Sequence, residues 1–209
     1  MTPSFDRSRF LIPLNADSDR ELTIRAQAGS IEAFETLVTR HQDHVYALSL
    51  RMLNSPEDAA EVAQETFLSA YRNIQGFRAD AQFSSWVYRI AANHSLMRLR
   101  RRKISREVEV GLDEPLFTDE GSLMEWVADW APNAEAQTIN GELRNAIEGA
   151  VGQLPDEYRE AFVLRDLEGM SYEEIAGLTE STVAAVKSRL HRARLSLRAA
   201  INHFYADVT

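Results

Sequence analysis

Ser171-Tyr172-Glu173-Glu174-Ile175-Ala176-Gly177-Leu178-Thr179-Glu180-Ser181-Thr182, followed by Val183 to Arg198, reads as a short helix, a tight connection and a second helix. Ser171 with Glu174 three residues on is a capping box, in which hydroxyl and carboxylate each satisfy a backbone N–H at the helix start. Ser181 or Thr182 can cap the second helix in the same manner. On that helix Val183, Val186, Leu190, Ala193, Leu197 and Ile201 recur at spacings of three and four and draw one core-facing stripe. At 100° per residue, Ala184, Ala185, Ser188, His191 and Arg192 point away from it, with Lys187 and Arg189 on the flanks. Five Lys or Arg and no carboxylate lie between Lys187 and Arg198. Small residues near the N-terminal end and cations further along suit a helix that enters a major groove and holds its phosphates. A basic amphipathic helix alone could be a solvated face or a partner helix. The capped short helix, the turn and the basic helix together predict a DNA-binding helix-turn-helix.

The net charge of −9 on 209 residues looks wrong for a DNA binder, but it is unevenly spread. Ten Asp or Glu and no Lys or Arg fall between Glu107 and Glu142, and setting them aside leaves the rest of the chain at +1. The chain has no cysteine, which excludes disulfides and thiolate chemistry. No apolar run approaches a membrane span, and no apolar segment follows Arg7 and Arg9 as a signal peptide requires, so a cytoplasmic protein with no membrane insertion is expected.

Residues 1–16, with Pro3 and Pro13, read as a disordered arm. Ser18 and Glu21 form a second capping box, opening a helix to about Gly29. A longer helix follows from Ile31 to about Met52, with Phe34, Leu37, Val38, Val45, Leu48 and Leu53 on its buried face. Asn54-Ser55-Pro56 ends it and starts a third, Glu57 to about Ile74. Acid in the first turn suits the helix dipole, which accounts for Glu57 and Asp58 but not for Glu61 or Glu65. Gly76 to Gln82 is a loop, and a fourth helix from Phe83 ends in Arg98-Leu99-Arg100-Arg101-Arg102-Lys103. Five cations in six residues repel one another unless a polyanion neutralises them. A polar loop with aromatics at both ends beside a cationic helix end suits an unstacked base gripped by its backbone. Phe67, Phe83 and Trp86 are individually expected in the core, and Tyr88 and Arg89 are left open.

Ile104 to about Asn140 reads as an acidic linker with the apolar anchors Leu116-Phe117, Leu123-Met124 and Trp126 to Trp130. A helix from about Ile139 to Val151 and another from Asp156 to about Glu168 complete a second group of helices, in which Tyr158, Phe162, Val163 and Leu167 pack under the helix-turn-helix. The expected fold is all-α: one helical domain over 17–103, an acidic flexible linker over 104–138 and a helix-turn-helix domain over 139–209.

Taken together, DAAEVAQETF (58–67), FSSWVYRIAAN (83–93), LMRLRRRK (96–103), LPDEYREAFVLR (154–165), SYEEIA (171–176) and VKSRLHRAR (186–194) resemble the extracytoplasmic-function group of bacterial sigma factors, over about residues 17–204. The resemblance implies that Asp58, Glu61, Gln64 and Glu65 dock on the β′ clamp helices of core RNA polymerase. It implies that Phe77, Arg78, Asp80, Arg89, Asn93, Arg98, Arg100, Arg101, Arg102 and Lys103 open and hold the −10 element. It implies that Ala184, Ala185, Lys187, Ser188, Arg189, His191 and Arg192 read the −35 element of promoter DNA. The polymerase β flap and an anti-sigma factor are further implied partners, with a role in stress response and no cofactor or metal. Many relatives have Gly where Glu180 stands, so a non-Gly residue in a left-handed conformation is expected at this turn. The family often has an Asp where Met97 stands. An autonomous helix-turn-helix regulator would share the C-terminal part but would not need the first domain's loop and cationic helix. For an enzyme, His41-Gln42-Asp43-His44 is the best hook, and it lacks a third metal ligand nearby.

Overall fold

The computed structural model describes residues 18–78, 81–106 and 146–208, with side chains described as far as Arg102 in the first unit and Ile201 in the second. The N-terminal arm, nearly all of the linker, Asp80 and the Lys103 side chain lie outside the described residues.

Four helices make the first unit. Helix α1 (Asp19–Gln27) starts at the predicted capping box: Glu21 N donates to Ser18 Oγ at 3.3 Å, and Ser18 N to Glu21 Oε2 at 2.7 Å. Gly29, at φ +98°, reverses the chain, and Ser30 caps α2 (Ile31–Leu53). Asn54 closes α2 in the left-handed region at φ 49°, which an Asn tolerates at a helix end. Ser55 then caps α3 (Pro56–Asn73), with Pro in its first turn. A single 3-10 turn, Ile74–Gly76, leads into the loop, and Gln27 Nε2 holds it by donating to Ile74 O at 2.8 Å and Phe77 O at 2.6 Å. Helix α4 (Phe83–Arg106) crosses α2 and α3. Leu37, Val45, Leu48, Met52, Val62, Val87 and Ala91 are fully buried between them. Because α4 continues to Arg106, the first residues assigned to the linker are helical: a cationic run on helix-forming side chains needs no break at Ile104.

The second unit holds α5, described over 146–153, then α6 (Asp156–Phe162), α7 (Tyr172–Thr179) and α8 (Val183–Val208). The sequence predicts one regular helix from Asp156 to about Glu168. Instead α6 widens at Val163–Leu167 into a turn of π-helix. There the Asp166 carboxylate accepts from Arg194 Nε at 3.0 Å and Nη2 at 2.8 Å, a bidentate pair buried against α8. Apolar periodicity is blind to such a register change, since Phe162, Val163 and Leu164 stay buried through it. The Ser171 and Glu174 capping box forms as predicted. Thr182, rather than Ser181, caps α8, its Oγ1 accepting from Ala185 N at 3.1 Å. Glu180 takes the left-handed conformation at φ 53°. The stripe Val186, Leu190, Ala193, Leu197 and Ile201 is buried throughout.

The apolar interiors of the two units meet in one buried cluster. The joint is made at the C-terminal end of α2. Arg159, 4% exposed, donates from Nε to Met52 O across the joint at 3.0 Å and from Nη1 to Leu154 O at 2.8 Å, and also pairs with Asp156. Asn54 Nδ2 donates to Gly152 O at 3.2 Å. A guanidinium at the carbonyl end of a helix is placed where the dipole favours a cation. Nothing in the apolar pattern marks Arg159 as a core residue.

Candidate nucleic-acid interface

Two helices bring the acidic and basic candidates of the first unit together. Asp58, in the first turn of α3, accepts from Arg98 Nε at 2.8 Å and Nη2 at 2.6 Å, and from Arg102. Its side chain is only 19% exposed. Asp58 is therefore no open docking residue: the arginines of α4 reach it first. Glu61 also pairs with Arg98 but stays exposed, and Gln64 and Glu65 are exposed beside it. Glu65 lies 3.5 Å from His94 Nδ1, and His94 Nε2 is 3.0 Å from Ser69 Oγ. Leu68 and Tyr71 are 55% and 51% exposed on this face. The sequence carried a signal for that. Both fall off the buried stripe set by Val62, Thr66 and Ala70. The outward face of α3 is thus mixed, with acidic residues beside large apolar ones.

The loop and the start of α4 form an aromatic cluster. Phe77 stacks on Trp86 with centroids 4.6 Å apart and planes at 27°, and meets Phe83 edge-on at 6.2 Å. Phe77 and Phe83 are buried and Trp86 is half-buried, so Phe77 supports the cluster and does not itself face a nucleic acid. A cleft of about 500 Å³ opens beside Trp86, lined by Arg78, Gln82, Tyr88 and Arg89 from the first unit and by Glu168 and Glu174 from the second. Tyr88 is held by its hydroxyl, 3.1 Å from His41 Nδ1, and by its ring, stacked on His44 at 4.1 Å. Burial, and then the Glu168 and Asp19 carboxylates, raise its phenol above the usual value. Both histidines of the candidate metal hook are engaged: His41 Nε2 lies 2.7 Å from Asp19 Oδ2, and His44 Nε2 lies 2.9 Å from Glu168 Oε2. Burial raises the Asp19 carboxyl, but hydrogen bonds from Arg40 and His41, and their charges, outweigh it and hold the group below its usual range.

Along α4 the cations divide. Arg98 and Arg102 turn in to Asp58, and Arg102 Nη1 also donates to Leu53 O at 2.8 Å. Arg89 and Arg100 turn to the second unit: Arg89 Nη2 meets Glu174 at 3.1 Å, while Arg100 donates to Glu180 Oε1 and to Leu178 O, each at 2.8 Å. Asn93 and Arg101 are exposed.

The outer face of α8 departs from its helical-wheel expectation. Ser188 is 4% exposed, with a hydroxyl that has no hydrogen-bond partner, and Ala184, Ala185, His191 and Arg192 are half-buried. A wheel ranks the faces of an isolated helix; Ser188 lies opposite the apolar stripe and is enclosed all the same. Lys187 sits over the Tyr172 ring at 5.1 Å, Arg189 pairs with Glu157 at 3.2 Å, and Arg192 Nη1 donates to Tyr158 OH at 3.3 Å. At the seam between α4 and α6 a cavity of about 260 Å³ is lined by Leu96, Leu99, Arg100, Glu157, Glu160 and Arg189. Burial, with Asp156 and Glu157 adding repulsion, pushes the Glu160 carboxyl up to about 7, against the opposing charges of Arg189 and Arg159.

This geometry meets its counterparts in known proteins. The family model described as Sigma-70 region 2 matches residues 37–104, and that described as Sigma-70, region 4 matches residues 144–197. The ECF RNA polymerase sigma-E factor of Escherichia coli is 38% identical over 180 residues, spanning 85% of this chain and 91% of its own. This chain belongs to the ECF sigma factors. The RNA polymerase sigma-H factor of Pseudomonas aeruginosa is 33% identical over 191 residues, 90% of this sigma factor and 96% of that one. Among solved structures, CnrH in complex with the cytosolic domain of CnrY aligns with a TM-score of 0.54 at 26% identity, over 90% of this chain and 99% of that one. The sigma factor RpoE bound to the anti-sigma factor NepR from Bartonella quintana shares the fold, with a TM-score of 0.51 at 20% identity over 82% of this sigma factor and 98% of that chain. Region 2 therefore falls on α2 to α4, and region 4 on α5 to most of α8. No described helix is long and apolar enough to cross a membrane.

Proposed function

We propose that this sigma factor joins core RNA polymerase in the cytoplasm and directs it to promoters whose −35 element is read by α8 and whose −10 element is opened by the loop and α4. Glu61, Gln64 and Glu65, with Leu68 and Tyr71, form the surface for the β′ clamp helices, and region 4 meets the β flap. Arg78, Arg89, Asn93, Arg100 and Arg101 take phosphates or bases of the −10 element, with Trp86 flanking the captured base. Arg98 and Arg102, tied to Asp58, brace that surface. Lys187, Arg189, His191 and Arg192 take the −35 element. The chain itself catalyses nothing; the polymerase supplies the chemistry. An anti-sigma partner is part of this reading, supported by CnrH, which was solved in complex with the cytosolic domain of CnrY.

What carries this reading is one feature: the stacked Phe77–Trp86 cluster opens a cleft beside the cationic side of α4, in a chain that also bears a capped helix-turn-helix. An autonomous regulator has no use for the first of these. Run-off transcription with core polymerase, with and without the chain, tests it: defined transcripts are expected only with both. Arg192→Ala should lower initiation on wild-type promoters and lose discrimination against −35 mutants. Initiation that is indifferent to the chain sinks the proposal.

A further inference from the structure

Exposed apolar side chains gather on one corner of region 2, and the face assigned to the β′ clamp helices uses only part of it. Ile31, in the first turn of α2, is 57% exposed. Phe34, one turn on, meets Tyr71 of α3 edge-on with ring centroids 5.1 Å apart, and Leu68 lies one turn before Tyr71. Ile31, Phe34, Tyr71 and Leu68 thus make one apolar ridge from the start of α2 to the outer face of α3. Exposed carboxylates border it: Glu35 one turn past Ile31, and Glu65 and Glu61 beyond Leu68. The C-terminal end of α1 is fastened beside the ridge, where Gln75 Nε2 donates to Gln27 O at 2.6 Å and Gln27 Nε2 to Ile74 O at 2.8 Å. Ile24 is exposed in that same last turn of α1. The chain enters α1 at Ser18. Going back from there, Leu14, Ile12, Leu11 and Phe10 come first and Arg9 and Arg7 after them. Four apolar side chains interrupted by Pro13 are too few for a leader sequence. Their order, apolar and then cationic, matches that of the ridge, apolar and then acidic. The lengths match as well. Helix α1 is about 13 Å long at 1.5 Å per residue, and the stretch from Leu14 to Ser18 spans about 13 Å when extended. From Leu14 back to Arg7 is about 23 Å extended, enough to cover the roughly 15 Å along α3 from Tyr71 to Glu61.

We propose that residues 7–14 lie back along this ridge in the free chain, with Phe10, Leu11, Ile12 and Leu14 on Ile31, Tyr71 and Leu68, and Arg7 and Arg9 towards Glu65 and Glu61, so that the arm and core polymerase compete for one face. The competition rests on the assignment of Leu68, Tyr71 and the neighbouring carboxylates to the β′ clamp helices. Docking costs the ordering of a short segment, which burial of its apolar side chains offsets. The tether at Ser18 makes the contact intramolecular and gives the arm a high effective concentration at the ridge. A face that is free for only a fraction of the time binds its partner more weakly by that fraction.

The test uses the full chain. Because it has no cysteine, Ser8→Cys takes a single nitroxide in the arm. Isoleucine and leucine methyl groups carry the isotope, and their broadening by the nitroxide is read by nuclear magnetic resonance. The methyls of Ile31 and Leu68 should broaden, while those of Leu190 and Leu197 on α8 keep their intensity. Phe10→Ser with Ile12→Ser lies outside every described helix and should abolish the broadening with the fold intact. The same variant should bind core polymerase about fivefold more tightly than the parent, the ratio for a face left free one-fifth of the time. Leu68→Ser, added to that variant, should weaken polymerase binding. Broadening spread evenly over both regions, or surviving the arm substitutions, overturns docking on the ridge. Equal broadening in a mixture with nitroxide and isotope on different chains gives the ridge to a second copy and overturns the intramolecular arm. Broadening lost with polymerase affinity unchanged, while Leu68→Ser still weakens binding, overturns the competition. If Leu68→Ser changes nothing, the polymerase assignment of this face falls, and the competition with it.

Discussion

Glu160 should make this fold lose stability as pH rises through neutrality. It lines the seam cavity together with Leu96 and Leu99, and burial lifts its carboxyl from an ordinary 4.5 to about 7 in the folded chain. Below pH 4.5 the group is protonated whether folded or unfolded and contributes nothing. Between 4.5 and 7 only the folded form keeps the proton, so stability falls with rising pH. Above 7 the full penalty stands, about 3 kcal/mol at ~1.4 kcal/mol per unit. Between pH 5 and pH 7.5 the share to be lost is about 2 kcal/mol. Glu160→Gln keeps the shape and removes the titration. The assay is urea unfolding of both proteins at several pH values, read as the difference between them. Subtraction matters because Asp19, Glu21, Glu32 and Glu174 have lowered carboxyl values, and their stabilisation is lost in the opposite direction as pH falls. Those contributions cancel between variant and parent; that of Glu160 does not. The parent should lose about 2 kcal/mol more than Glu160→Gln over this window. Parallel curves would refute the idea that the seam strips water from this carboxylate.

Other outcomes follow from the joint and the caps. Arg159→Met leaves Met52 O and Leu154 O without their donor and should cost about 3 kcal/mol, with faster amide hydrogen exchange at the C-terminal end of α2. Unchanged exchange there would mean the guanidinium is replaceable. Ser171→Ala removes the acceptor of Glu174 N and should cost about 1 kcal/mol in chemical denaturation. Arg101→Ala touches an exposed cation and should leave folding alone while reducing the salt slope of open-complex formation by about one, as the loss of a single phosphate contact does.

The helices were legible because capping chemistry is local. Ser18 and Ser171 cap where the sequence places them, Ser55 lies at the break read between α2 and α3, and the predicted α2 and α8 stripes are buried except for Val38 and Val183, which are half-buried. The strained turn was legible too, because a Glu where a left-handed residue is needed is visible in one dimension. What escaped was whatever depends on a partner far along the chain. Asp58 and Arg98 were read as two surfaces, though they are 40 residues apart and bonded to each other. Nothing in the sequence marks Arg159 as the buried donor to the end of α2. Ser188 was turned outward by the helical wheel and is enclosed. Phe77 looked like a loop aromatic, and Trp86 claims it. The loop and the cationic run signalled nucleic acid by composition, while which arginines remain available was decided by tertiary ion pairs alone.

Position 180 sets heat resistance against restraint. A glycine would adopt φ near +50° with less strain, so a selection for survival at high temperature should enrich Glu180→Gly, at a gain of up to about 1 kcal/mol. The same exchange deletes the carboxylate that engages Arg100. Hardier descendants of this sigma factor would then hold α4 and α7 together with one ion pair fewer.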